Sequence, residues 1–174
     1  MTEWVALLRG VNVGGITIRS AELRALLTEL GLDDVRTFLA SGNAAFHSNR
    51  TAAQLKPAIE AALRERFGYD AWIVLVSLAD LEAVVEAFPF DAGRDGWHPY
   101  VLFGSDDAVL AELTGLGADL DPADDVIAYG KHVIYWYNRR DVGVDSAFSK
   151  IAGKVRYRST TTNRNLRTLR KLLA

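Results

Sequence analysis

Residues 35–46, Val35-Arg36-Thr37-Phe38-Leu39-Ala40-Ser41-Gly42-Asn43-Ala44-Ala45-Phe46, decide how this chain folds. Two runs with strand character, 35–40 and 44–46, flank Ser41-Gly42-Asn43. Glycine and asparagine accept the backbone angles of a tight turn at low cost, so the stretch reads as a β-hairpin. Whatever precedes and follows it must supply the elements that cover its apolar face.

Upstream, the short apolar run 3–9 is bounded by Gly10 and reads as a strand. Val11-Asn12-Val13-Gly14-Gly15 is a turn-rich connection. Ser20 is the expected cap of a helix that places Leu23, Leu26, Leu27 and Leu30 on one face, and Gly31 stops it. Downstream, Thr51 and Gln54 have the spacing of a capping box for a second helix with Leu55, Ile59, Ala62, Leu63 and Phe67 on its inner face. Pro57 conflicts with that helix: either it kinks there or it begins there, with proline at its first position. The continuous apolar run 72–76 predicts a strand buried on both faces. Ser77 then caps a third helix carrying Leu81, Val84, Val85 and Phe88, which Pro89 ends.

After a loop containing Gly93, Gly96 and Pro99 the order begins again. Residues 100–103 read as a strand, and Ser105 as the cap of a helix with Val109, Leu110, Leu113 and Leu116. Residues 126–129 and 133–137 form a second hairpin around Gly130-Lys131-His132. A short helix is expected over 145–152, an alternating strand over 155–158, and a last helix capped by Thr162 or Asn163 with Leu166, Leu169 and Leu173 inside. Each half opens with β-α-β-β-α-β, the ferredoxin-like arrangement. The expected fold class is therefore α+β, with duplicated ferredoxin-like (βαββαβ-α) units packed together. The first unit spans 1–92 and the second 93–174, without a flexible linker between them.

The 174 residues, 49% apolar and 24% charged, suffice for a sizeable core. Absence of cysteine excludes disulfides, a thiol nucleophile and thiolate zinc sites. Glu3 leads straight into Trp4-Val5-Ala6-Leu7-Leu8, which is too short for a signal-peptide core and lacks a basic leader. No apolar run approaches a membrane span, so the reading is cytoplasmic with no membrane partner. Net charge is −2, but 150–174 holds eight basic residues and no acid, whereas 91–125 holds nine acids and one arginine. The basic tail can attract an anion or nucleic acid; the alternative is that the two segments neutralise each other or are solvated faces.

Ferredoxin-like geometry suggests where a site sits. The loop leaving strand one and the turn between strands two and three share one end of the sheet, separated by two strand spacings, roughly 10 Å. That end carries Arg9, Asn12, Gly14, Gly15, Ser41, Gly42 and Asn43, donors suited to an anion or a polar small molecule; the same residues also suit plain turn formation. Recognised cofactor motifs fail. No lysine precedes Thr17 as a phosphate-binding loop requires, there is no dinucleotide fingerprint, and Ser41 lacks the glycine two residues earlier that a nucleophile elbow needs. No cofactor is implied. His47, His98 and His132 are too scattered for a metal set, and His132 is either a general base or a solvated turn residue. Tyr135-Trp136-Tyr137 is expected to turn one face to the core and leave the other partly exposed, as in single-strand nucleic-acid binders, or to pack between units.

Leu7-Leu8-Arg9-Gly10-Val11-Asn12-Val13-Gly14-Gly15, Val35-Arg36-Thr37, Ser41-Gly42-Asn43-Ala44-Ala45-Phe46, Phe88-Pro89-Phe90 and Arg164-Asn165 with Thr168 resemble the bacterial family catalogued as domain of unknown function 1697. That family's C-terminal motif usually reads Thr-Thr-Arg-Asn before a tryptophan; here Thr162-Asn163-Arg164-Asn165 precedes Leu166. The resemblance implies an α+β duplication, no settled activity, and site candidates Arg9, Asn12, Gly14, Gly15, Ser41, Gly42, Asn43, Thr162, Arg164 and Asn165. Three functions remain open, in this order: a binding module for a phosphorylated small molecule or nucleic acid, an enzyme on a small polar substrate, and a protein-interaction or structural module. The oligomeric state is not legible.

Overall fold

Along Thr2–Arg9 both sets of alternating side chains are buried, Ala6 and Leu8 on one face and Val5 and Leu7 on the other. Such a strand belongs inside a sheet rather than at its edge. In the computed structural model, which describes residues 1–11, 16–38 and 42–174, it does lie inside. The protein is mixed α+β, with two similar units, Met1–Leu81 and Glu82–Ala174, each holding a four-stranded antiparallel sheet.

The first unit runs β1 (Thr2–Arg9), α1 (Ser20–Glu29), β2 (Asp33–Phe38), β3 (Asn43–Ser48), α2 (Ala52–Phe67) and β4 (Trp72–Ser77), then enters α3 (Leu78–Glu86). Its sheet order is β2-β3-β1-β4. Ala6, Leu8, Ala44, Phe46 and Ile73 form one sheet face and pack against Leu23, Leu26 and Leu27 of α1 and Leu55, Ile59 and Leu63 of α2. Helix α1 begins at Ser20 itself, so its cap lies one residue earlier than expected: Arg19 is the N-cap, and its N–H donates to the Glu22 carboxylate. The capping box of α2 is present, with Thr51 N–H donating to Gln54 Oε1 at 3.0 Å. Pro57 lies inside α2, which starts at Ala52, so it does not occupy the first helical position.

β4 is an edge strand whose faces are each buried at its centre, at Ile73 and Val74, while Trp72 and Leu75–Val76 keep partial exposure. Its apolar run answers α2 on one side, while α2's polar side chains cover its outer edge. Glu60, buried, accepts from Ile73 N–H at 3.2 Å. Lys56 Nζ donates to Ile73 O at 3.0 Å and to Glu60 at 2.9 Å, and Arg64 donates to Ala71 O at 2.9 Å. Residues at i, i+4 and i+8 of one helix thus satisfy the main-chain groups that an edge strand would leave open.

The second unit continues from α3 through β5 (Trp97–Gly104), α4 (Asp107–Leu116), β6 (Asp125–Gly130), β7 (Val133–Arg139), α5 (Ala147–Ala152), β8 (Thr161–Asn165) and α6 (Leu166–Leu173), with sheet order β6-β7-β5-β8. Leu102, Ile134 and Trp136 pack on Leu110 and Leu113 of α4 and Phe148 of α5. Buried Asp125 ties this side together: it accepts from Trp136 Nε1 (2.7 Å), Asn138 Nδ2 (2.9 Å) and Phe148 N–H (3.2 Å).

Several expectations change here. β5 extends back through Pro99, which had been assigned to a loop. The Gly104 N–H to His132 O and Arg140 N–H to Gly96 O bonds set the pairing parity, so Pro99's missing N–H points away from β7, on the side where β8 pairing starts only at Tyr100. Asp106, not Ser105, caps α4, accepting from Ala108 N–H at 2.9 Å. Residues 155–158 are not a strand: Val155–Tyr157 is a 3-10 turn that buries Tyr157 and leaves Val155 72% exposed. The fourth strand is instead the polar Thr161–Asn165, so neither Thr162 nor Asn163 caps α6. Asn165 does, accepting from Arg167 N–H at 2.9 Å, and Leu172 rather than Leu173 completes the buried face. Tyr135, Trp136 and Tyr137 are all buried, leaving no exposed aromatic face. Tyr135 OH donates to Val84 O, Tyr137 OH donates to Asp91 O, and Phe88, Phe90 and Trp97 close over the two tyrosine rings.

The Asp125 cluster gives a direct test. Asp125→Ala strands three buried donors, each costing roughly 1–3 kcal/mol, so denaturant unfolding should register a loss of at least about 3 kcal/mol. A loss under about 1 kcal/mol would contradict this assignment.

Candidate functional site

Arg9 ends β1, half-buried, with its main chain paired to Trp72. Asn12, Gly14, Gly15 and Ser41 lie outside the described residues, as do Val13, Leu39 and Ala40. On the hairpin side, Gly42 precedes β3 with φ +73° and its carbonyl accepts from Leu8 N–H at 2.8 Å. Turn and first strand are therefore in direct contact, closer than the two spacings expected, because the turn leads into β3, which lies directly beside β1. A Cβ on Gly42 would meet Leu8 Cβ at 2.9 Å and Val11 Cβ at 3.3 Å. Asn43, expected in the turn, is the first residue of β3. It is buried, and its Nδ2 donates to Phe38 O at 3.1 Å. A parallel bridge between Val11 and Ile16 draws together the two ends of the first loop.

Thr162, Arg164 and Asn165 share β8, in the second unit. Arg164 is 6% exposed and folds along its own strand, with Nη1 donating to Thr162 Oγ1 (2.7 Å) and Asn163 O (2.9 Å). Its guanidinium thus helps satisfy the strand it belongs to. Asn165 has the helix-capping role described above.

Two arginines that sequence reading did not single out act on His98. This residue faces Asn138, two residues before Arg140, across the β5–β7 ladder, and lies two positions beyond the last β8 pair, Tyr100–Asn165, near where the chain enters α6 at Leu166-Arg167. Burial lowers the proton affinity of His98 below its ordinary 6.5, and the positive charges of Arg140 and Arg167 lower it further. Both arginines are exposed, and neither has a carboxylate partner within ion-pair distance among the described residues. An uncompensated double positive charge beside the start of a helix favours an anion. The signal available in sequence was Arg139-Arg140 together with the basic tail. What hid the cluster was β8, whose end brings Arg167 to the strand that holds His98.

The remaining histidines are paired with carboxylates. His132, φ +59°, places Nδ1 2.7 Å from Asp107 Oδ1, and both side chains are more than half exposed. This His–carboxylate pair was not legible from positions 25 residues apart. His47 lies 3.6 Å from both Glu3 and Asp34. Among the described residues no set of three or more metal-binding side chains converges, and no helix is long and apolar enough to cross a membrane.

The Gly42 contact predicts that Gly42→Ala costs about 1–3 kcal/mol of unfolding free energy, through positive φ and overlap with Leu8. Urea unfolding measures it; an unchanged midpoint would show that the turn does not press on β1.

Residues 1–135 match a family model described as a protein of unknown function, DUF1697; Thr162, Arg164 and Asn165 lie beyond the matched segment. The solved structure of the conserved bacterial protein SP0830 from Streptococcus pneumoniae is similar to the chain, with 32% identity and a TM-score of 0.82 over 98% of this chain and 96% of that one. No curated protein matches it. On the match over residues 1–135, the chain belongs to the DUF1697 family.

Proposed function

We propose that this protein is a cytoplasmic binding module for an anionic ligand, a phosphorylated small molecule in preference to nucleic acid. The observation that carries this reading is a pair of exposed arginines, Arg140 and Arg167, that form no ion pair among the described residues and whose charges both act on His98. An anion drawn to this positive charge would find two guanidinium groups free to pair with it. Nucleic acid is the weaker choice because the aromatic strand Tyr135-Trp136-Tyr137 is buried and offers no stacking platform. Arg9 and Gly42 mark a second anion candidate at the end of the first sheet, supported by the Gly42–Leu8 contact that holds turn and strand together; Asn12, Gly14, Gly15 and Ser41 lie outside the described residues, and Asn43 is buried on Phe38. Arg164 drops out of the ligand set, since its guanidinium is engaged inside β8. The proposal also takes the two units as ferredoxin-like duplicates, on the support of their matching strand orders.

An enzymatic reading draws on one observation, the His132–Asp107 pair, which has the geometry of an oriented general base. It has no nucleophile or oxyanion donor assembled beside it among the described residues, and ranks second.

Thermal unfolding with inorganic phosphate, nucleotides, sugar phosphates and short RNA, each at low and moderate salt, tests the proposal. Ligand at one hundred times its dissociation constant stabilises by about 2.7 kcal/mol. The expected result is a shift with phosphorylated small molecules that is lost in Arg140→Ala and Arg167→Ala; these exposed positions leave folding intact. Loss in Arg9→Ala alone would move the site to the first sheet. A shift with RNA only, steeply salt-dependent, would replace the small molecule by nucleic acid. No shift with any anion would overturn the reading.

A further inference from the structure

Four strand edges bound the two sheets, and three of them are blunted. β2 carries a register shift between Asp33 and Arg36, with Asp34 at φ +47° and charged side chains along it. The outer groups of β4 are bonded by Lys56, Glu60 and Arg64. On β8, Arg164 covers the outward carbonyl of Asn163.

The edge of β6 is different. Arg139 N–H donates to Asp124 O, which sets the parity of the β6–β7 ladder. Asp124, Val126, Ala128 and Gly130 therefore bond to β7, and the main-chain groups of Asp125, Ile127 and Tyr129 point outward. The Asp125 amide donates back to Asp121 O. Among the described residues, the outward N–H and C=O of Ile127 and Tyr129 have no partner. Val126-Ile127-Ala128-Tyr129 contains no charge and no proline, and Tyr129 is 50% exposed. An edge of this kind is a template for another strand.

We propose that β6 pairs antiparallel with β6 of a second copy of this chain, about a two-fold axis through Ile127, forming a continuous eight-stranded sheet. The outward groups are centred on Ile127, so a two-fold there matches each donor with an acceptor: Ile127 exchanges both bonds with its own counterpart, and Tyr129 N–H reaches the Asp125 carbonyl of the other copy. The same register sets Val126 opposite Ala128. Beyond the strand ends it turns the Lys131 turn of one copy toward the Asp121–Asp124 turn of the other, where Asp124 already pairs with Arg139. The acidic approach to the strand and the basic turn after it are thus complementary when the strand meets itself reversed. A two-fold through Ile127 places no like charges opposite each other along the strand.

Sedimentation over a wide concentration range, with amide hydrogen exchange, tests the pairing. The expected result is a species of twice the 19.1 kDa chain mass at high concentration, in which the Ile127 and Tyr129 amides are protected, with protection lost on dilution. Tyr129→Pro removes an outward N–H without touching the β7 ladder, and should remain monomeric with an unchanged unfolding midpoint. Lys131→Glu should weaken the dimer, more so at low salt. A chain that stays monomeric at every concentration overturns the proposal, as does a dimer in which the Ile127 amide exchanges freely. Protection of Ile127 only on adding an extended apolar peptide would replace the second copy with a foreign strand.

Discussion

Each sheet turns on one left-handed residue. Gly42 and His132 both sit immediately before the third strand of their unit, at φ +73° and +59°, and each offers its carbonyl to the end of the unit's first strand, at Leu8 and Gly104. That bond fixes the register of β1 on β3 and of β5 on β7, and a one-residue slip would exchange the buried and outward faces of every strand. The two corners use glycine differently. In the first unit it lies on the turn, where Leu8 leaves no room for a Cβ. In the second it lies on the strand, where Leu110 fills the space above Gly104. The same crowded corner is thus relieved on opposite sides in the two units.

With the register set, most polar residues at motif positions are engaged in holding the fold. Asn43 closes its hairpin on Phe38, Arg164 satisfies β8, Asn165 caps α6 and Asp125 gathers three donors. A buried polar group left unpaired is costly, and these residues relieve that cost for their neighbours. Arg140 and Arg167 do the opposite: they are exposed, form no ion pair among the described residues, and their charges lower the proton affinity of His98. Charge arranged without a structural partner is the more informative sign of a ligand.

The element order of the first unit, the capping box at Thr51 and the second hairpin were legible because each rests on local chemistry. β8 was not. Thr161-Thr162-Asn163-Arg164-Asn165 lacks an apolar alternation, and its strand state comes from pairing with β5, a partner some 60 residues away. Nearby Val155-Arg156-Tyr157-Arg158 has the alternation without the partner, and folds as a turn that buries only Tyr157. Misplacing that strand also hid the basic cluster, since the neighbourhood of Arg167 and His98 exists only once β8 ends at Asn165. At the end of the first sheet the expected two spacings overshoot, because the turn before β3 bonds directly to Leu8 of β1.

The central claim is that the positive charge around His98 is a receptor for an anion. A pH titration of the His98 imidazole by NMR, with and without inorganic phosphate, tests it most directly. Without phosphate the group should titrate below its ordinary 6.5, held down by burial and by Arg140 and Arg167. Bound phosphate would offset those charges, so the midpoint should move upward with phosphate and not with an equal ionic strength of chloride. A midpoint that ignores phosphate would contradict the account.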